Sequence, residues 1–247
     1  MNHYWFYLSR SSIQKRNKIN FFRARLEESG ALTGLIQKLE RGELRRFLKL
    51  DLEYKYFIDN PKSAWAFRAF AGYGYVYGKT GNKLENNLPF FKAYFGGGPY
   101  SMRAWPIRRL GLGSSNYYDT INKASALDRW GDFKLEGNVE YRFDVGTLFG
   151  VKLESALFTD MGNIWAKTVD GNDTKIDATE FKLNRLLKDL AIGAGTSLRF
   201  DFDFFLIRLD WAYRVKDPIY TNEPGGGWFH KLQVDSGQFQ LGIGYPF

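Results

Sequence analysis

Histidine and cysteine, two residue types often used for catalysis and metal binding, are nearly absent from this chain. Among its 247 residues there are two histidines, His3 and His230, and no cysteine. A serine–histidine mechanism needs a histidine base beside its nucleophile, and the sequence arranges no nucleophile near either histidine. The carboxylates are interleaved with Lys and Arg, unlike clustered metal ligands. The sequence therefore predicts no enzyme activity and no metal or cofactor in this segment.

The chain does offer charge pairing, at a glycine-rich stretch. Residues 95–113 read FGGGPYSMRAWPIRRLGLG, in which three glycines precede an isolated Arg103. The glycine run lacks the Lys-Ser/Thr pair and the strand–helix setting of a phosphate-binding loop. An arginine fork can instead pair with two carboxylates at once. Which carboxylates it meets depends on the strands around it.

The segments around this stretch alternate between apolar and charged residues. In 131–145, GDFKLEGNVEYRFDV, Val139 and Tyr141 share one face and Glu140 lies on the other. Successive strand side chains point to opposite sides, so each such segment predicts a strand with one apolar and one charged face. In 63–78 the face opposite the aromatic residues is rich in glycine. The remaining predicted strands are 46–59, 148–166, 189–203, 204–217 and 238–247, with weaker candidates at 2–10 and 17–29.

The lengths of these strands suit a membrane. Most have about 10–15 residues, whereas roughly 9–11 tilted residues cross a bilayer core and globular strands usually have five or six. Short links alternate with long loops, as in outer-membrane barrels. The pattern predicts an all-β, antiparallel transmembrane β-barrel. Its long loops are predicted at 30–45, 79–130, 167–188 and 218–236, and its short links at 59–62, 146–147 and 203–204.

The longest loop, 79–130, is too apolar to remain in solvent. Long loops in compact proteins are usually functional or disordered, and large apolar residues in this one need burial. We expect it to fold back into the barrel lumen, and we expect 177–189 to form a short helix in another loop. The apolar residues that require burial are Phe90, Phe91, Tyr94, Phe95, Met102, Trp105, Ile107 and Leu110.

The C-terminal segment 237–247, GQFQLGIGYPF, reads as a last strand that ends on an aromatic residue. Gly242, Gly244 and Pro246 weaken its pairing, because glycine and proline are poor strand residues. The ending resembles the C-terminal signal of bacterial outer-membrane barrels, in which a polar residue and a glycine precede two aromatic residues. The signal residues here are Gln240, Gly242, Tyr245 and Phe247. The alternation predicts one face formed by Phe239, Leu241, Ile243, Tyr245 and Phe247.

Two further motifs resemble those of the BamA/TamA superfamily of outer-membrane assembly factors, which also includes the two-partner secretion transporters. The sixth extracellular loop of that family carries a Gly-Gly motif and then a Val-Arg-Gly-aromatic signature. The matching residues are Gly96, Gly97, Gly98, Ser101, Met102, Arg103, Ala104 and Trp105, with Ala104 in place of the usual glycine. A second family motif, Phe-x-Asp-x-Gly-Asn, is matched by Phe158, Asp160, Gly162 and Asn163.

The resemblance implies a lock between the loop and the barrel wall. In the family, the loop arginine docks inside the barrel against the motif aspartate and a glutamate on the preceding strand. The corresponding residues here are Arg103, Asp160 and Glu140. Independently of the family, the alternation places both carboxylates on the charged, lumen-facing side.

The resemblance also bears on domain organisation. Family barrels have sixteen strands, of which five follow the motif loop. Five predicted strands follow the loop here and four precede it, which gives nine. Residues 1–247 are therefore expected to be the C-terminal portion of such a barrel, without its N-terminal strands and periplasmic POTRA domains. The N-terminal sequence MNHYWFYLSRSS also lacks the basic and long apolar regions of a signal peptide.

The function implied is the assembly, insertion or translocation of proteins at the outer membrane of a Gram-negative bacterium, through the barrel seam and the lumen loop. Alternatives are a two-partner secretion pore for one dedicated client, or a barrel anchor for a fused N-terminal enzyme domain. The expected partners are the lipid bilayer, client outer-membrane or secreted proteins, and periplasmic accessory proteins. Nucleic acid is excluded, because the aromatic residues that could stack on bases lie on the face opposite the charges.

Overall fold

Nine long strands form one antiparallel sheet. The computed structural model describes residues 3–15, 17–30, 46–77, 79–80, 83–84, 87–115, 128–166, 178–230 and 234–247. The sheet order is β1-β2-β3-β4-β7-β8-β9-β10-β11, and β5-β6 is a separate two-stranded ribbon. The strands are β1 His3–Lys15, β2 Lys18–Ser29, β3 Phe47–Asn60, β4 Ser63–Val76, β5 Lys79–Thr80, β6 Lys83–Leu84, β7 Phe133–Leu148, β8 Val151–Trp165, β9 Ala191–Asp201, β10 Leu206–Lys216 and β11 Gln238–Ile243.

The predicted all-β, antiparallel architecture is confirmed. Each of the nine strands overlaps a predicted segment, but β1 continues to Lys15, beyond the predicted 2–10, and β11 ends at Ile243, before the predicted end at 247. One short link was placed wrongly. β7 continues to Leu148, so the β7–β8 turn lies at Phe149 and Gly150 and not at 146–147. Both turn residues have positive φ, 51° and 82°, and a register shift between Asp144 and Gly146 lets β7 continue past the predicted turn.

The polarity of the sheet is the reverse of that of a water-soluble protein. On the side that we call the outer face, large apolar residues are exposed, such as Leu157 of β8 and Tyr73 of β4. The opposite side, the inner face, buries charged residues, all exposed by 3% or less. These are Glu53, Glu140, Asp160, Arg199, Arg208 and Asp210. An apolar exterior around a polar interior is the arrangement of a transmembrane β-barrel.

The loop between β4 and β7 lies across the inner face in its described part, 87–115. Leu88, Tyr94 and Leu112 pack with apolar residues of β3, β4 and β8. Met102 and Trp105 form a second cluster with inward-facing residues of β8, β9 and β10, and Leu110 belongs to it. Positions 81–82, 85–86 and 116–127 of the predicted loop lie outside the described residues.

Burial of the loop's apolar residues is only half as extensive as predicted. Tyr94, Met102, Trp105 and Leu110 are buried, but Phe90, Phe91, Phe95 and Ile107 are exposed. Two of the exposed rings have partners within the loop region. The Phe90 ring meets Trp130 edge-on at 5.1 Å, and the Arg108 guanidinium lies over the Phe90 and Phe95 rings, 5.0 and 5.4 Å from their centroids.

Glycines on β4 make room for the loop. A Cβ on Gly72 would lie 2.5 Å from the Tyr94 ring, and a Cβ on Gly74 would lie 2.3 Å from Leu88. The Tyr94 hydroxyl donates a hydrogen bond to the Asp51 carboxylate. Burial and the nearby Asp51 charge raise the pKa of Tyr94, so the hydroxyl stays protonated as a donor. The loop therefore packs on the glycine-rich face of β4 that the sequence shows.

The loop between β8 and β9 contains the expected short helix. A 3-10 turn at Leu183–Arg185 leads into α1, Leu186–Asp189; position 177 of the predicted range lies outside the described residues. The Lys216 ammonium donates to the backbone oxygens of Leu187 and Lys188, at 2.7 and 2.8 Å. These bonds satisfy carbonyls at the helix end. In the described ranges, no helix has the length and apolarity needed to span a bilayer.

Candidate functional site

The structure brings Arg103, Asp160 and Glu140 together on the inner face. Arg103 Nε and Nη2 donate to the two oxygens of Asp160, each at 2.8 Å. Nη1 donates to Glu140 Oε2, also at 2.8 Å. All three side chains are exposed by 1% or less. We call this triad the loop lock, since Arg103 belongs to the loop and both carboxylates belong to the sheet.

Asp160 is fully occupied by donors. Besides the guanidinium fork, the backbone N–H of Arg103 donates to Asp160 Oδ2 at 3.0 Å. The Asn138 amide donates to Asp160 Oδ1 at 2.9 Å, and the same amide reaches the backbone oxygen of Ser101 at 3.4 Å. Asp160 therefore fixes both the side chain and the backbone of the loop at Arg103.

The ring of Phe158 completes the surroundings of the guanidinium. The Arg103 Cζ atom lies 3.3 Å from the ring centroid, and a cation over an aromatic face is stabilised by the ring's quadrupole. Phe158 and Asp160 are both inward-facing on β8, two residues apart. The motif residues Phe158 and Asp160 thus contact the same side chain.

Glu140 connects the lock to two arginines that sequence reasoning did not identify as partners. Its Oε1 atom accepts from Arg142 Nε and from Arg199 Nη2, each at 2.5 Å. The available signal in the sequence was alternation, which places Arg142 and Arg199 on the charged faces of 131–145 and 189–203. The strand register, which pairs Glu154 of β8 with Arg199, brings Arg199 near β7 and cannot be read from alternation alone.

Ser101 joins a second charged group. Its hydroxyl donates to the Glu136 carboxylate, which also pairs with Lys134 at 2.9 Å and Arg68 at 3.0 Å. Arg68 Nε in turn donates to Glu53 at 2.7 Å. This group links β3, β4 and β7 to the loop tip. Ser101 was predicted as a motif residue, but its charged partners were not.

Ala104, where the family signature has glycine, is accommodated by a glycine on the facing strand. A Cβ on Gly193 of β9 would lie 2.6 Å from the Ala104 Cβ. Met102, Ala104 and Trp105 are all buried by the same apolar cluster. The absence of a side chain at Gly193 therefore leaves room for the Ala104 methyl group.

The glycines that precede the signature shape the loop into a hairpin. Gly97 and Gly98 have φ of 98° and 93°, a region that glycine adopts without strain. A Cβ on Gly97 would lie 2.1 Å from the Pro106 oxygen, and the Gly98 N–H donates to the Trp105 oxygen at 2.9 Å. Gly96 forms a bridge with Leu110. Arg103 lies near the tip of this hairpin, between Gly98 and Trp105.

Asn163, at the end of the second motif, links the β4–β7 loop to the β8–β9 loop. The Asn163 amide donates to the Gly113 oxygen at 2.9 Å and to the Asp189 oxygen at 2.5 Å. Gly162 is needed for close packing, since a Cβ there would lie 2.3 Å from the Leu135 oxygen. These residues hold β8 against the two loops and against β7, next to the lock.

The C-terminal signal residues contact the loop and the inner face. Gln240 Nε2 donates to the Trp105 oxygen at 3.0 Å, and Gly242 lies where a Cβ would be 2.6 Å from Arg208 Nη2. The prediction that Tyr245 and Phe247 share a face with Phe239, Leu241 and Ile243 is wrong, because both rings lie near the inward-facing Arg142. β11 ends at Ile243, and Gly244, at φ 78°, redirects the chain toward the inner face.

Beyond Gly244 the terminal aromatic residues surround Arg142. The Arg142 guanidinium lies 4.4 Å from the Tyr245 ring centroid and 5.8 Å from that of Phe247. The Tyr245 hydroxyl donates to Glu154 at 3.1 Å. Burial and the Glu154 carboxylate raise the pKa of Tyr245, so it remains a donor. The terminus therefore reaches the lock through Arg142 and Glu140.

Comparisons with known proteins identify a family for the chain. The profile of the Omp85 superfamily domain matches residues 28–247. Among solved structures, the chain is similar to CdiB from Acinetobacter baumannii at 11% identity with a TM-score of 0.38. That alignment covers 87% of this chain and 39% of the CdiB chain, so the protein spans well under half of that structure's length. No curated protein sequence matches the chain.

Proposed function

The chain belongs to the Omp85 superfamily, and from this membership we propose that it assembles, inserts or translocates client proteins through its barrel seam, with the loop lock holding the loop in the lumen. Omp85 barrels lie in the outer membrane of Gram-negative bacteria and handle other proteins. They work by transport and assembly and not by catalysis. The observation that carries the proposal is the burial of Arg103 between Asp160 and Glu140.

The energetics support a structural role for the lock. A buried ion pair contributes little net stability by itself, but removing one partner typically costs about 3–5 kcal/mol, because the remaining charge stays buried and unpaired. Two carboxylates depend on Arg103 in this site. Loss of the arginine is therefore expected to release the loop from the inner face.

The terminal strand supports the part of the proposal that concerns the seam. β11 is six residues long, shorter than the other strands of the sheet. Gly242 contributes no side chain to its packing, and Gly244, at φ 78°, follows directly after its last residue. An unpaired strand edge can template the addition of another strand. A client strand that pairs along β11 would enter the barrel wall without any covalent chemistry.

A single substitution in the natural, full-length protein tests the proposal. Arg103→Ala should deplete folded β-barrel proteins from the outer membrane, because the loop no longer holds its place. Arg103→Lys should restore the function only in part, since lysine keeps the charge but loses the fork. The measurement is quantitative mass spectrometry of outer-membrane and secreted proteins in cells that carry each variant.

The matched control is Arg108→Ala in the same loop. Arg108 forms an ion pair with Asp128 at 3.0 Å, but both side chains are more than one-third exposed, and exposed pairs contribute little. Loss of one secreted protein with a normal barrel complement would indicate a dedicated export pore. Unchanged profiles, with the Arg103→Ala protein present at normal levels in the membrane, would contradict the proposed role of the lock.

A further inference from the structure

A tyrosine of the loop binds the backbone edge of the terminal strand. The Tyr100 hydroxyl donates to the Ile243 oxygen at 2.6 Å, and the Ile243 N–H donates to the same hydroxyl at 3.0 Å. Tyr100 lies three residues before Arg103 in the hairpin. The loop that carries the lock therefore also contacts β11 at its C-terminal end.

The groups that Tyr100 binds belong to the open side of β11. In an antiparallel strand, the backbone groups of alternate residues point to opposite sides. The Gly244 N–H donates to Leu206 at the start of β10, at 2.7 Å, so the groups of Ile243 point away from β10. Within the described part of the chain, β11 pairs with β10 alone. Ile243 thus lies on an edge where a further strand could pair.

The hydroxyl supplies what one residue of a neighbouring strand would supply. A strand residue at that place would accept from the Ile243 N–H and donate to the Ile243 oxygen. A phenolic hydroxyl both donates and accepts, so one Tyr100 side chain satisfies both groups. No other side-chain type in the hairpin tip combines this capacity with the reach of a ring.

The tip is held in place from the sheet side. Buried Arg208 of β10 donates to the Pro99 oxygen at 2.5 Å and pairs with Asp210 at 3.1 Å. Its guanidinium lies 5.5 Å from the Tyr100 ring centroid. The lack of a side chain at Gly242 leaves the space that Arg208 occupies. Tyr100 therefore sits between two anchors, Arg208 on one side and the loop lock on the other.

We propose that Tyr100 is an edge cap, which occupies the pairing position at Ile243 and must be displaced by any strand that pairs with β11 there. The ligand of this site is an extended β-strand, recognised by its backbone. This inference rests on the proposed function, in which β11 receives client strands. It adds a residue that couples the position of the loop to the availability of the edge.

Hydrogen–deuterium exchange at single-residue resolution tests the cap in the full-length protein in lipid nanodiscs. Tyr100→Phe keeps the ring and removes the hydroxyl. One hydrogen bond of ordinary net strength corresponds to a change in exchange rate of roughly 2- to 10-fold. We expect the Ile243 amide to exchange faster by about that factor in Tyr100→Phe, with the Leu241 amide unchanged. Tyr100→Ser, whose hydroxyl is too short to reach, should behave in the same way.

Tyr54→Phe is the matched control. The Tyr54 hydroxyl donates to Asn20 at 2.8 Å on the outer face, far from the edge. The Tyr54→Phe substitution should leave the exchange rate of the Ile243 amide at the wild-type value. Equal Ile243 exchange in wild type and Tyr100→Phe would overturn the edge cap. Because exchange is read without any client, that result would leave the proposed function standing, whereas a failed client assay would leave the hydrogen bonds of Tyr100 to Ile243 standing but remove the strand that displaces them.

Discussion

At the residue scale, burying a carboxylate is costly unless its oxygens have donors, and the loop supplies most of the donors to Asp160. Three of its four described hydrogen bonds come from Arg103, two from the side chain and one from the backbone. Asn138 supplies the fourth. A loop that provides most of the donors for a buried acid cannot leave without stranding that acid, which explains how one arginine can fix a long segment.

The fit of Ala104 against Gly193 gives a residue-scale prediction. Gly193→Ala should destabilise the folded protein by about 1–3 kcal/mol, since the new Cβ would lie 2.6 Å from that of Ala104. Ala104→Gly should restore most of that loss in the double variant, because the other atoms near the site are 3.4 Å away or more. Thermal unfolding in detergent measures the cycle. Equal destabilisation with and without Ala104→Gly would show that the two residues do not compete for space.

Part of the site could be predicted from its residue types and from the alternation of the strands. Arg103, Asp160 and Glu140 followed from two short motifs and from the alternation, which put both carboxylates on one face. Arg142 and Arg199 could not be assigned as partners, because their approach to Glu140 depends on strand register. Tyr245 was misplaced because alternation was continued through Gly244, where a positive φ ends the strand pattern.

At the element scale, β4 acts as the floor beneath the loop. Its inward positions change from Arg68 and Phe70 to Gly72 and Gly74 where Tyr94 and Leu88 lie. The strands were predictable over most of their length. Their apolar outer face and charged inner face impose a strict alternation with a period of two residues. The path of the loop was not, because it is set by contacts between residues distant in sequence.

Gly72→Ala tests this floor. The added methyl would lie 2.5 Å from the Tyr94 ring, so the ring must move and its hydrogen bond to Asp51 should weaken. We expect faster proteolysis of the loop in the folded barrel, measured by limited digestion. Gly137→Ala on the outer face is the control, because its Cβ would meet only the flexible Met161 side chain, at 3.1 Å. Equal digestion of wild type and Gly72→Ala would mean that the loop does not depend on the glycine floor.

At the scale of the whole molecule, the charged inner face and the apolar outer face require opposite surroundings. Large residues such as Trp65, Tyr75 and Leu157 are 40% to 56% exposed on the outer face, whereas the inner charges are buried among themselves and the loop. Water on the outside would leave a continuous apolar wall uncovered. The fold is therefore stable only with lipid or detergent around it.

A charge placed on the outer face checks this orientation. Leu157→Arg, in the middle of β8, should reduce the stability of the barrel in bilayers by about 2–4 kcal/mol, as expected for a cation near the membrane midplane. Phe149→Arg is the matched control, since Phe149 lies in the β7–β8 turn and is 97% exposed. Folding titrations into lipid vesicles give both values. Similar losses for the two variants would show that Leu157 does not face the bilayer core.

The central claim, that Arg103 and Asp160 act as one unit to hold the loop inside the barrel, is tested most directly by a double-mutant cycle. The free energy of unfolding is measured in detergent for wild type, Arg103→Ala, Asp160→Ala and the double variant. Each single change strands a buried charge, so the double variant should be more stable than the sum of the two losses predicts, by at least about 1 kcal/mol. Losses that add to within about 0.5 kcal/mol would contradict the lock.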